Sequence, residues 1–303
     1  MIKLGMIGYS KNNGHPYSFS GIINGINNFY FKNYSKWPFI YNYLSKNKKK
    51  LGFEKMKITH IWTQNSKLTK NIARSCLIQK ICKKPNEMLN EVDGVIIARD
   101  DWKSHVKLSK PFLKKNIPTF IDKPLSLKKK ELDFFKYYLK KGILMSCSGL
   151  RYSKKIKNGK FILKKTGKIN SIKVSVVNDI EKYGVHMLDI INEVLKLNFK
   201  KVIKISKNKK FYKIISDKDI PVYLNCLGKV NKIFMISILG KKDKIRFNIN
   251  DNFVSFYNTL KKFEKMIISK KNPINYKDTI NIMNTIRISK ISSIHNYKKI
   301  DNV

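Results

Sequence analysis

The fold is decided by the first 27 residues, MIKLGMIGYSKNNGHPYSFSGIINGIN. Residues 2–8 form a short apolar run that ends in Gly8, and residues 9–16 form a loop rich in Gly and Asn. From residue 18 to 27 apolar side chains recur at helical spacing, and Pro16 suits the first turn of that helix. A strand, a glycine-containing loop and a helix in this order are typical of the opening unit of a doubly wound α/β domain.

The alternation of strands and helices continues to residue 148. Buried-looking apolar runs predict strands, and segments of helical periodicity between them predict helices, which together indicate a parallel sheet. The aromatic and basic residues 28–55 are interpreted as an irregular insertion, either a surface flap or part of an active-site rim. The predicted strands are 58–63, a weak one near 83, 93–98, 118–121 and 143–147, and the predicted helices are 68–82, 86–90, 103–115 and 127–141.

From residue 149 to 303 the order of elements changes. A strand and a helix are followed by strands separated by short gaps, which favours antiparallel pairing, and two helices end the chain. We therefore expect two domains, residues 1–148 with a parallel sheet and residues 149–303 with an open, mostly antiparallel sheet. The predicted strands are 170–177, 201–206, 211–216, 221–227, 231–239 and 244–249, and the predicted helices are 182–195, 251–269 and 277–294.

The charge of the chain is strongly positive, with 64 Lys+Arg against 20 Asp+Glu and a formal net charge of +44. Such a balance raises the question of a nucleic-acid partner. However, 59 of the basic residues are Lys and only five are Arg, whereas base readout and bidentate phosphate contacts favour Arg. Lys, Asn and Ile share AT-rich codons, so we attribute the charge to base composition. A polyanion-binding protein is kept as a lesser alternative.

Several further classes of protein are not indicated. No apolar run reaches the roughly 18 residues of a membrane span, and the first residues lack the layout of a signal peptide. The histidines show no metal-ligand spacing. The cysteines include no CxxC and predict neither a disulfide framework nor a zinc site; they are Cys76, Cys82, Cys147 and Cys226. These features predict a cytoplasmic protein with no metal.

Three segments resemble the Gfo/Idh/MocA oxidoreductase family, named for glucose–fructose oxidoreductase, inositol dehydrogenase and their relatives. Residues 121–125 (IDKPL) are similar to the family's Glu-Lys-Pro signature. The strand at 93–98 stands at a family-like separation from His105 and Lys123, and residues 183–189 (YGVHMLD) resemble the family's Gly-x-His-x-x-Asp segment. The resemblance implies an N-terminal Rossmann domain, a C-terminal α+β domain, and an NAD(P)-dependent oxidoreductase acting on a hydroxyl or ketone carbon of a sugar, cyclitol or related polyol.

Two positions depart from the family pattern. In the G-x-G-x-x-G loop, Ser10 and Asn13 stand in the second and third glycine places, with Gly14 one step late. Four residues before the His, where the family often carries an Asp, this chain has Lys182. These departures keep open the alternative of a catalytically degenerate relative that acts as a binding or regulatory protein.

The loop that begins at Gly8 is the candidate phosphate site, because glycines allow close approach of the backbone and a helix N-terminus favours an anion. We expect Ser10 to donate its hydroxyl to the phosphates and Asn13 to adopt a left-handed backbone in place of Gly. Gly14, His15 and the strand-end residues contribute further contacts. The complete set of predicted cofactor contacts is Gly8, Ser10, Asn13, Gly14, His15, Gln64, Asn65, Ala98, Arg99, Asp100, Asp122, Lys123 and Pro124.

The preference between NAD and NADP stays open. The second strand is not followed by the acid that usually holds the ribose hydroxyls. Gln64 or Asn65 can hydrogen-bond the ribose instead, and Lys67 or Arg74 can pair with a 2′-phosphate.

Lys123 and His186 are the candidate catalytic residues. Lys123 follows a strand at the end where open α/β sheets bind ligands, and Pro124 biases it away from helix. Its ammonium group can polarise a substrate hydroxyl, and the resemblance implies that it also orients the nicotinamide ribose. An imidazole at His186 titrates near neutrality and can accept the alcohol proton. The alternatives are a surface lysine and a structural histidine.

Neighbouring residues refine this prediction. If a helix begins near Gly184, its positive end keeps the His186 ring neutral, and Asp189 steadies it from the same helical face. Tyr183 is the second candidate proton donor. His105 is interpreted as a packing residue, while Arg151 and Tyr152 either contact a polar or anionic substrate or brace the domain junction. The resemblance further implies a sugar-like or polyol substrate held between the domains and a homo-oligomer formed through the C-terminal sheet.

Overall fold

The computed structural model describes residues 1–156, 163–231 and 233–301, and these divide into two compact units. The first unit comprises Met1–Leu125, Phe134–Ser146 and Phe256–Pro273. The second comprises Ser126–Asp133, Cys147–Ser255 and the chain from Ile274 onward.

Strands and helices alternate along the first part of the chain, as the sequence predicts. The strands are β1 (Ile2–Ile7), β2 (Met56–Trp62), β3 (Lys80–Ile81), β4 (Gly94–Ile97), β5 (Thr119–Ile121), β6 (Leu144–Met145), β7 (Ile169–Val176), β8 (Phe199–Lys204), β9 (Lys210–Ser216), β10 (Pro221–Cys226), β11 (Phe234–Gly240), β12 (Lys244–Asn248) and β13 (Lys298–Lys299). The α-helices are α1 (His15–Asn24), α2 (Asn28–Tyr34), α3 (Pro38–Lys46), α4 (Ser66–Ser75), α5 (His105–Lys114), α6 (Lys129–Lys140), α7 (Val185–Leu195), α8 (Asn252–Ser269) and α9 (Tyr276–Lys290).

The first unit is built on a parallel sheet with the strand order β3-β2-β1-β4-β5-β6. The chain leaves β1 towards β2 on one side and resumes at β4 on the other, so the order reverses between β1 and β4. In open α/β sheets, ligands bind at such a switch point, outside the carboxyl ends of the strands. The predicted doubly wound parallel sheet is confirmed. A ligand site is therefore expected at the loops after β1, β2, β4 and β5.

The prediction of an irregular insertion at residues 28–55 is wrong, since α2 and α3 lie there. Both helices have a local start signal. The side chain of Asn27 accepts a hydrogen bond from the Tyr30 N–H and caps α2, and Pro38 occupies the first position of α3. The density of aromatic residues obscured the helical periodicity, because exposed rings such as Phe29 and Phe39 alternate with buried ones.

One predicted helix is too long. The segment 68–82 was expected to be helical throughout, but α4 ends at Ser75. Leu77, two residues later, has a φ of 56°. A left-handed backbone cannot continue a right-handed helix, and the chain turns there into the short strand β3.

The second unit contains a sheet with the order β12-β11-β7-β10-β9-β8-β13. Its neighbours pair in antiparallel fashion except β7 and β10, which are parallel, with Val222 opposite Ile172. The chain between β7 and β10 contains α7 and the β8–β9 hairpin, and this long connection makes parallel pairing possible. The predicted mostly antiparallel sheet is therefore confirmed, with one parallel pair that short gaps between strands did not indicate.

The sheet of the second unit buries one face. Along β7 the side chains of Ile172, Val174 and Val176 are buried, while Lys173 between them is exposed. α7 packs on the buried face, where Ile190 of the helix and Ile236 of β11 line the same small cavity. This packing fixes α7, which carries the predicted acid/base histidine.

Within the described ranges, every helix is too short or too polar to cross a bilayer. The same residues contain no cluster of three or more His, Cys, Asp or Glu side chains suited to a metal ion. The four cysteines are buried thiols that form no disulfide.

Candidate functional site

The loop after β1 begins at a glycine that the structure needs. A Cβ atom added to Gly8 would lie 2.8 Å from Cγ of Pro16. Only a residue without a side chain therefore allows the first turn of α1 to approach the end of β1. Since that turn carries the positive end of the helix dipole, its position suits a phosphate group.

Ser10 and Asn13, in the places of the second and third glycine, direct their side chains into the protein. The hydroxyl of Ser10 donates to Oδ1 of Asp100 at 2.5 Å and accepts the Asp100 N–H at 3.1 Å. The amide of Asn13 donates to Oδ2 of Asp122 at 3.1 Å, and its Oδ1 accepts the His15 N–H at 2.8 Å. Because the Ser10 hydroxyl donates its hydrogen to Asp100, its predicted donation to a phosphate gains no support, and binding of a dinucleotide by this loop stays a prediction.

The expectation that Asn13 adopts the left-handed backbone is wrong. Asn12 does so instead, with a φ of 63°. The physical reason is the double role of the Asn13 side chain, which bonds both Asp122 and the start of α1. The turn has moved one residue earlier to leave that side chain in place.

Asp122 ties the loop to the residue predicted to be catalytic. Its Oδ2 lies 2.6 Å from Nδ1 of His15, and its Oδ1 accepts the backbone N–H of Lys123 at 2.9 Å. The His15 ring stacks on Phe19 with ring centroids 4.9 Å apart. Burial alone would raise the pKa of Asp122, but His15, Lys123 and the Asn13 amide outweigh it and hold that pKa well below its ordinary value.

This depressed pKa predicts a loss of stability in acid. A carboxyl whose pKa is lower in the folded than in the unfolded chain stabilises the fold above its unfolded value, here an ordinary value of 3.8, and loses that contribution as the pH falls below it. Between pH 6 and pH 3 we expect the unfolding free energy of the parent to fall by about 1 kcal/mol more than that of Asp122→Asn. Urea titrations at several pH values measure this difference. Parallel pH curves for the two proteins would contradict it.

The side chains predicted to hold the ribose are engaged within the first unit. Nε2 of Gln64 donates to the Tyr9 carbonyl at 2.5 Å, and its Oε1 accepts Nη1 of Arg99 at 2.9 Å. Oδ1 of Asn65 accepts the Leu68 N–H at 2.9 Å and caps α4. Arg99 also forms a bidentate pair with Asp101, at 2.8 and 2.7 Å. These contacts place Gln64 and Arg99 beside the phosphate loop, and their contacts with a cofactor stay a prediction.

Of the two cations considered for a 2′-phosphate, Arg74 lies with its guanidinium carbon 5.6 Å from the centroid of the Tyr30 ring. Lys67 is exposed in the first turn of α4. The structure brings neither into the contacts around Gln64, so a preference for NADP gains no support from them.

Lys123 stands at the carboxyl end of β5 and is only 5% exposed. Among the lysines whose burial the structure describes, it is the only buried one, which excludes the alternative of a surface lysine. Lysines are almost never fully buried without a compensating reason. Ala98 follows β4 beside it in the sheet, and its N–H donates to the Ile7 carbonyl at 2.9 Å.

His105 is fully buried, as the interpretation of a packing residue requires. Its Nδ1 lies 2.9 Å from the Leu125 carbonyl and its Nε2 lies 2.9 Å from the Arg99 carbonyl. Burial lowers the pKa of this ring. The residue joins two of the strand-end loops to each other.

In the second unit, His186 is the second residue of α7. The first residue of α7 is Val185, which directly follows a π-helical turn over Ile180–Gly184, so helical backbone begins earlier than the predicted start near Gly184. The side chain of Asp179 caps that turn by accepting the Lys182 N–H at 2.8 Å. The positive end of this helical segment therefore lies at Ile180, and the expectation that it keeps the His186 ring neutral is wrong.

The His186 ring has a partner that sequence reasoning missed. Its Nδ1 lies 2.6 Å from Oγ of Ser148. Tyr183 and Phe234 flank the ring, with centroids 5.9 and 5.7 Å away. The expected support from Asp189 reaches the ring through Ser148, because Oδ2 of Asp189 accepts the Ser148 N–H at 2.5 Å.

Arg151 completes this buried network. Its Nη1 lies 2.5 Å from Oδ1 of Asp189, and its Nη2 lies 2.7 Å from Oε2 of Glu193. Burial raises the pKa of Asp189 to about 6, although Arg151 acts in the opposite direction. Burial disfavours the charged form of Arg151, but the carboxylates outweigh it and its pKa lies above the ordinary value. With its guanidinium held in this way, Arg151 braces α7.

The spacing of His186, Asp189 and Glu193 is the signal that could have revealed the network. Residues three and seven positions apart share one helical face, and α7 presents that face to Ser148 and Arg151. Nothing in the local sequence around Ser148 indicates the contact, since 38 residues separate it from His186.

The sequence of the first unit matches a known family. Residues 39–142, which include Asp122 and Lys123 but not the loop after β1, match the model of the Gfo/Idh/MocA family, described as an oxidoreductase family with an NAD-binding Rossmann fold. The match shows that this segment, about a third of the chain, is similar to the family that the sequence motifs resemble. The predicted resemblance, enzyme class and nicotinamide cofactor are confirmed at this level.

Solved structures of Gfo/Idh/MocA type share the fold along the whole chain. Myo-inositol 2-dehydrogenase from Lactobacillus plantarum is 12% identical over 99% of both chains, with a TM-score of 0.78. Scyllo-inositol dehydrogenase from Lactobacillus casei, with bound NAD(H) and scyllo-inositol, is 12% identical over 99% of both, with a TM-score of 0.76. A probable dehydrogenase from Thermotoga maritima is 14% identical over 100% of both, with a TM-score of 0.75. No curated protein matches the chain in sequence.

Proposed function

We propose that the protein is a dehydrogenase of the Gfo/Idh/MocA type that acts on a small polyol, a cyclitol or sugar-like molecule, with Lys123 and His186 handling the proton. The observation that carries the proposal is Lys123, a buried lysine at the carboxyl end of β5 within the segment that matches the NAD-binding family. A buried cation in that position stabilises the negative charge that develops on a substrate oxygen when its proton is removed.

The residues of the candidate site have separate roles in such a reaction. When NAD is bound, its nicotinamide ring supplies the site to which hydride is transferred or from which it is taken. In its charged form the Lys123 side chain donates a hydrogen bond to the substrate oxygen, and in its neutral amine form it takes the proton of the substrate hydroxyl. The carboxylate of Asp122, bonded to the Lys123 N–H, holds the backbone of that residue in place. His186 provides a second polar contact to the substrate.

The polyol class rests on the family and on the fold. The structures of similar fold include dehydrogenases named for myo-inositol and scyllo-inositol. A hydroxyl-rich substrate is bound by several directional hydrogen bonds, so single lost contacts are costly and discrimination among stereoisomers is high. A panel of cyclitols and sugars assayed with NAD and with NADP therefore identifies the substrate class.

Binding of the cofactor is the first test of the function. Calorimetric titration of the protein with NAD(H) and NADP(H) is expected to show binding of at least one of them below millimolar concentration. In Gly8→Ala the new methyl group meets Pro16, 2.8 Å from its Cγ, and we expect affinity to fall by roughly 10-fold or more. If neither dinucleotide binds the parent at millimolar concentration, the proposal of a dehydrogenase is rejected.

A degenerate binding protein is the second candidate. Lys182 stands where the family often carries an acid, and Ser10 and Asn13 replace two loop glycines. Under this alternative the dinucleotide or polyol binds without turnover, and Lys123→Ala leaves the function intact. Turnover of any polyol in the panel separates the two.

We further propose that the protein is cytoplasmic and forms a homo-oligomer through the outer face of the second sheet. That face carries Ser171, Lys173 and Ser175 of β7 and Tyr223 of β10, which line a groove with a volume of about 650 Å³. A solution mass of 35.5 kDa, that of one chain, would contradict the oligomer.

A further inference from the structure

The hydroxyl of Ser148 is held in a fully specified position. The residue is completely buried. Its backbone N–H donates to Asp189, and its carbonyl accepts the Arg151 N–H at 3.3 Å. Its Oγ accepts the Leu150 N–H at 3.1 Å and lies 2.6 Å from Nδ1 of His186. Within the described part of the chain, these two atoms are the hydrogen-bond neighbours of the hydroxyl.

This arrangement decides the direction of the bond to His186. A serine hydroxyl has one hydrogen to donate and two lone pairs. The Leu150 N–H can only donate, so it occupies a lone pair, and Nδ1 of His186 is the neighbour that can accept the hydroxyl hydrogen. If His186 donated instead, a buried O–H would be left without an acceptor, at a cost of about 1–3 kcal/mol.

A histidine whose Nδ1 accepts a hydrogen bond carries its own proton on Nε2 when it is neutral. The ring is thereby kept as a neutral donor at Nε2. Tyr183 and Phe234 contact the ring at centroid distances of 5.9 and 5.7 Å and restrict its orientation.

We propose that Ser148 is a positioning residue that fixes His186 as the Nε2–H tautomer, so that His186 is a hydrogen-bond donor and not the base. The proposal rests on the proposed dehydrogenase function for its catalytic half only. It reverses the expectation that His186 is the base, because a neutral imidazole protonated on Nε2 has no lone pair there to take a proton.

The tautomer can be measured without any substrate. In protein labelled with ¹⁵N-histidine, the side-chain nitrogens of His186 are assigned by comparison with His186→Gln. We expect Nδ1 to resonate as an unprotonated nitrogen and Nε2 as a protonated one at neutral pH. A protonated Nδ1 in the parent protein would overturn the proposal, whatever the protein proves to catalyse.

Variants at Ser148 then test the cause. In Ser148→Ala both ring nitrogens should shift to intermediate values as the tautomers mix, while Ser148→Thr, which keeps a hydroxyl, should retain the parent spectrum. Ser153→Ala is the matched control. Ser153 is equally buried and also accepts the N–H two residues on, from Lys155 at 3.2 Å, but its hydroxyl donates to Asp251. Its spectrum should equal that of the parent.

Kinetics on the polyol that gives turnover complete the test. We expect kcat to fall by roughly 10–100-fold in Ser148→Ala, less than the full contribution of an acid–base group, with KM changed by less than about 3-fold and activity retained in Ser148→Thr. Loss of activity with an unchanged His186 spectrum would overturn the tautomer role.

If Ser148→Ala fails to fold, the parent and Ser148→Thr spectra still decide the question. A protein that turns over no polyol but shows the expected spectra rejects the proposed function and leaves the tautomer assignment standing.

Discussion

Replacing Lys123 with Ala is expected to lower kcat/KM by roughly 10²–10⁴-fold, because the substrate oxygen then loses both its cationic partner and its proton acceptor. The side chain is buried at the end of β5, so bulk water cannot replace it. Steady-state assays with the active polyol and a nicotinamide dinucleotide measure the loss. Dinucleotide affinity should change much less than turnover.

Lys123→Arg separates charge from proton transfer. Arginine keeps the positive charge but is not deprotonated in proteins, so we expect it to be nearly as inactive as the alanine variant. Lys128→Ala serves as the control, because that side chain is 62% exposed and its removal should leave the kinetics unchanged. Full activity in both Lys123 variants would favour the degenerate binding protein.

Replacing Asp189 with Ala is expected to destabilise the second unit by about 3–5 kcal/mol, since it leaves the buried Arg151 guanidinium with one carboxylate partner fewer. Arg151 and Asp189 are both almost completely buried, with side chains 3% and 4% exposed. The matched control is Asp133→Ala, which breaks the pair with Lys129 on the surface of the same unit, where both side chains are more than half exposed. That change should cost less than about 1 kcal/mol.

The distribution of tryptophan allows the two units to be followed apart. The three tryptophans, Trp37, Trp62 and Trp102, all lie in the first unit. In denaturant titrations of Asp189→Ala, the transition detected by far-UV circular dichroism should move to lower denaturant concentration, and the tryptophan fluorescence transition should move less. A loss of less than 1 kcal/mol would show that the network contributes little beyond a surface ion pair.

Sequence reasoning was most successful where a rule of topology links position to function. The ends of parallel strands converge at a switch point, so Gly8, Asp122 and Lys123 could be assigned to one edge of the sheet from their places after β1 and β5. The family motifs lie at the same positions. The helix that carries His186, predicted over 182–195, likewise lies where its pattern indicated.

It failed where side chains far apart in sequence decide the structure. Asn13 was expected to supply a left-handed backbone, but its bonds to Asp122, 109 residues away, moved that conformation to Asn12. The partner of His186 came from residue 148, which no periodicity connects to it. Hydrogen-bond networks of this kind leave no repeating pattern of hydrophobicity, which is the principal signal that a single sequence offers.

The first unit includes a segment from late in the chain, and this affects how the protein folds during synthesis. Phe256–Pro273 belongs to that unit, and there Phe263 of α8 lies 5.9 Å from the Phe120 ring while Phe256 lies 5.3 Å from Phe19. In an N-terminal fragment that ended near residue 148, Phe120 of β5 and Phe19 of α1 would lack these contacts. During synthesis the nascent chain can complete its nucleotide-binding half only after α8, more than 100 residues further on, has emerged from the ribosome.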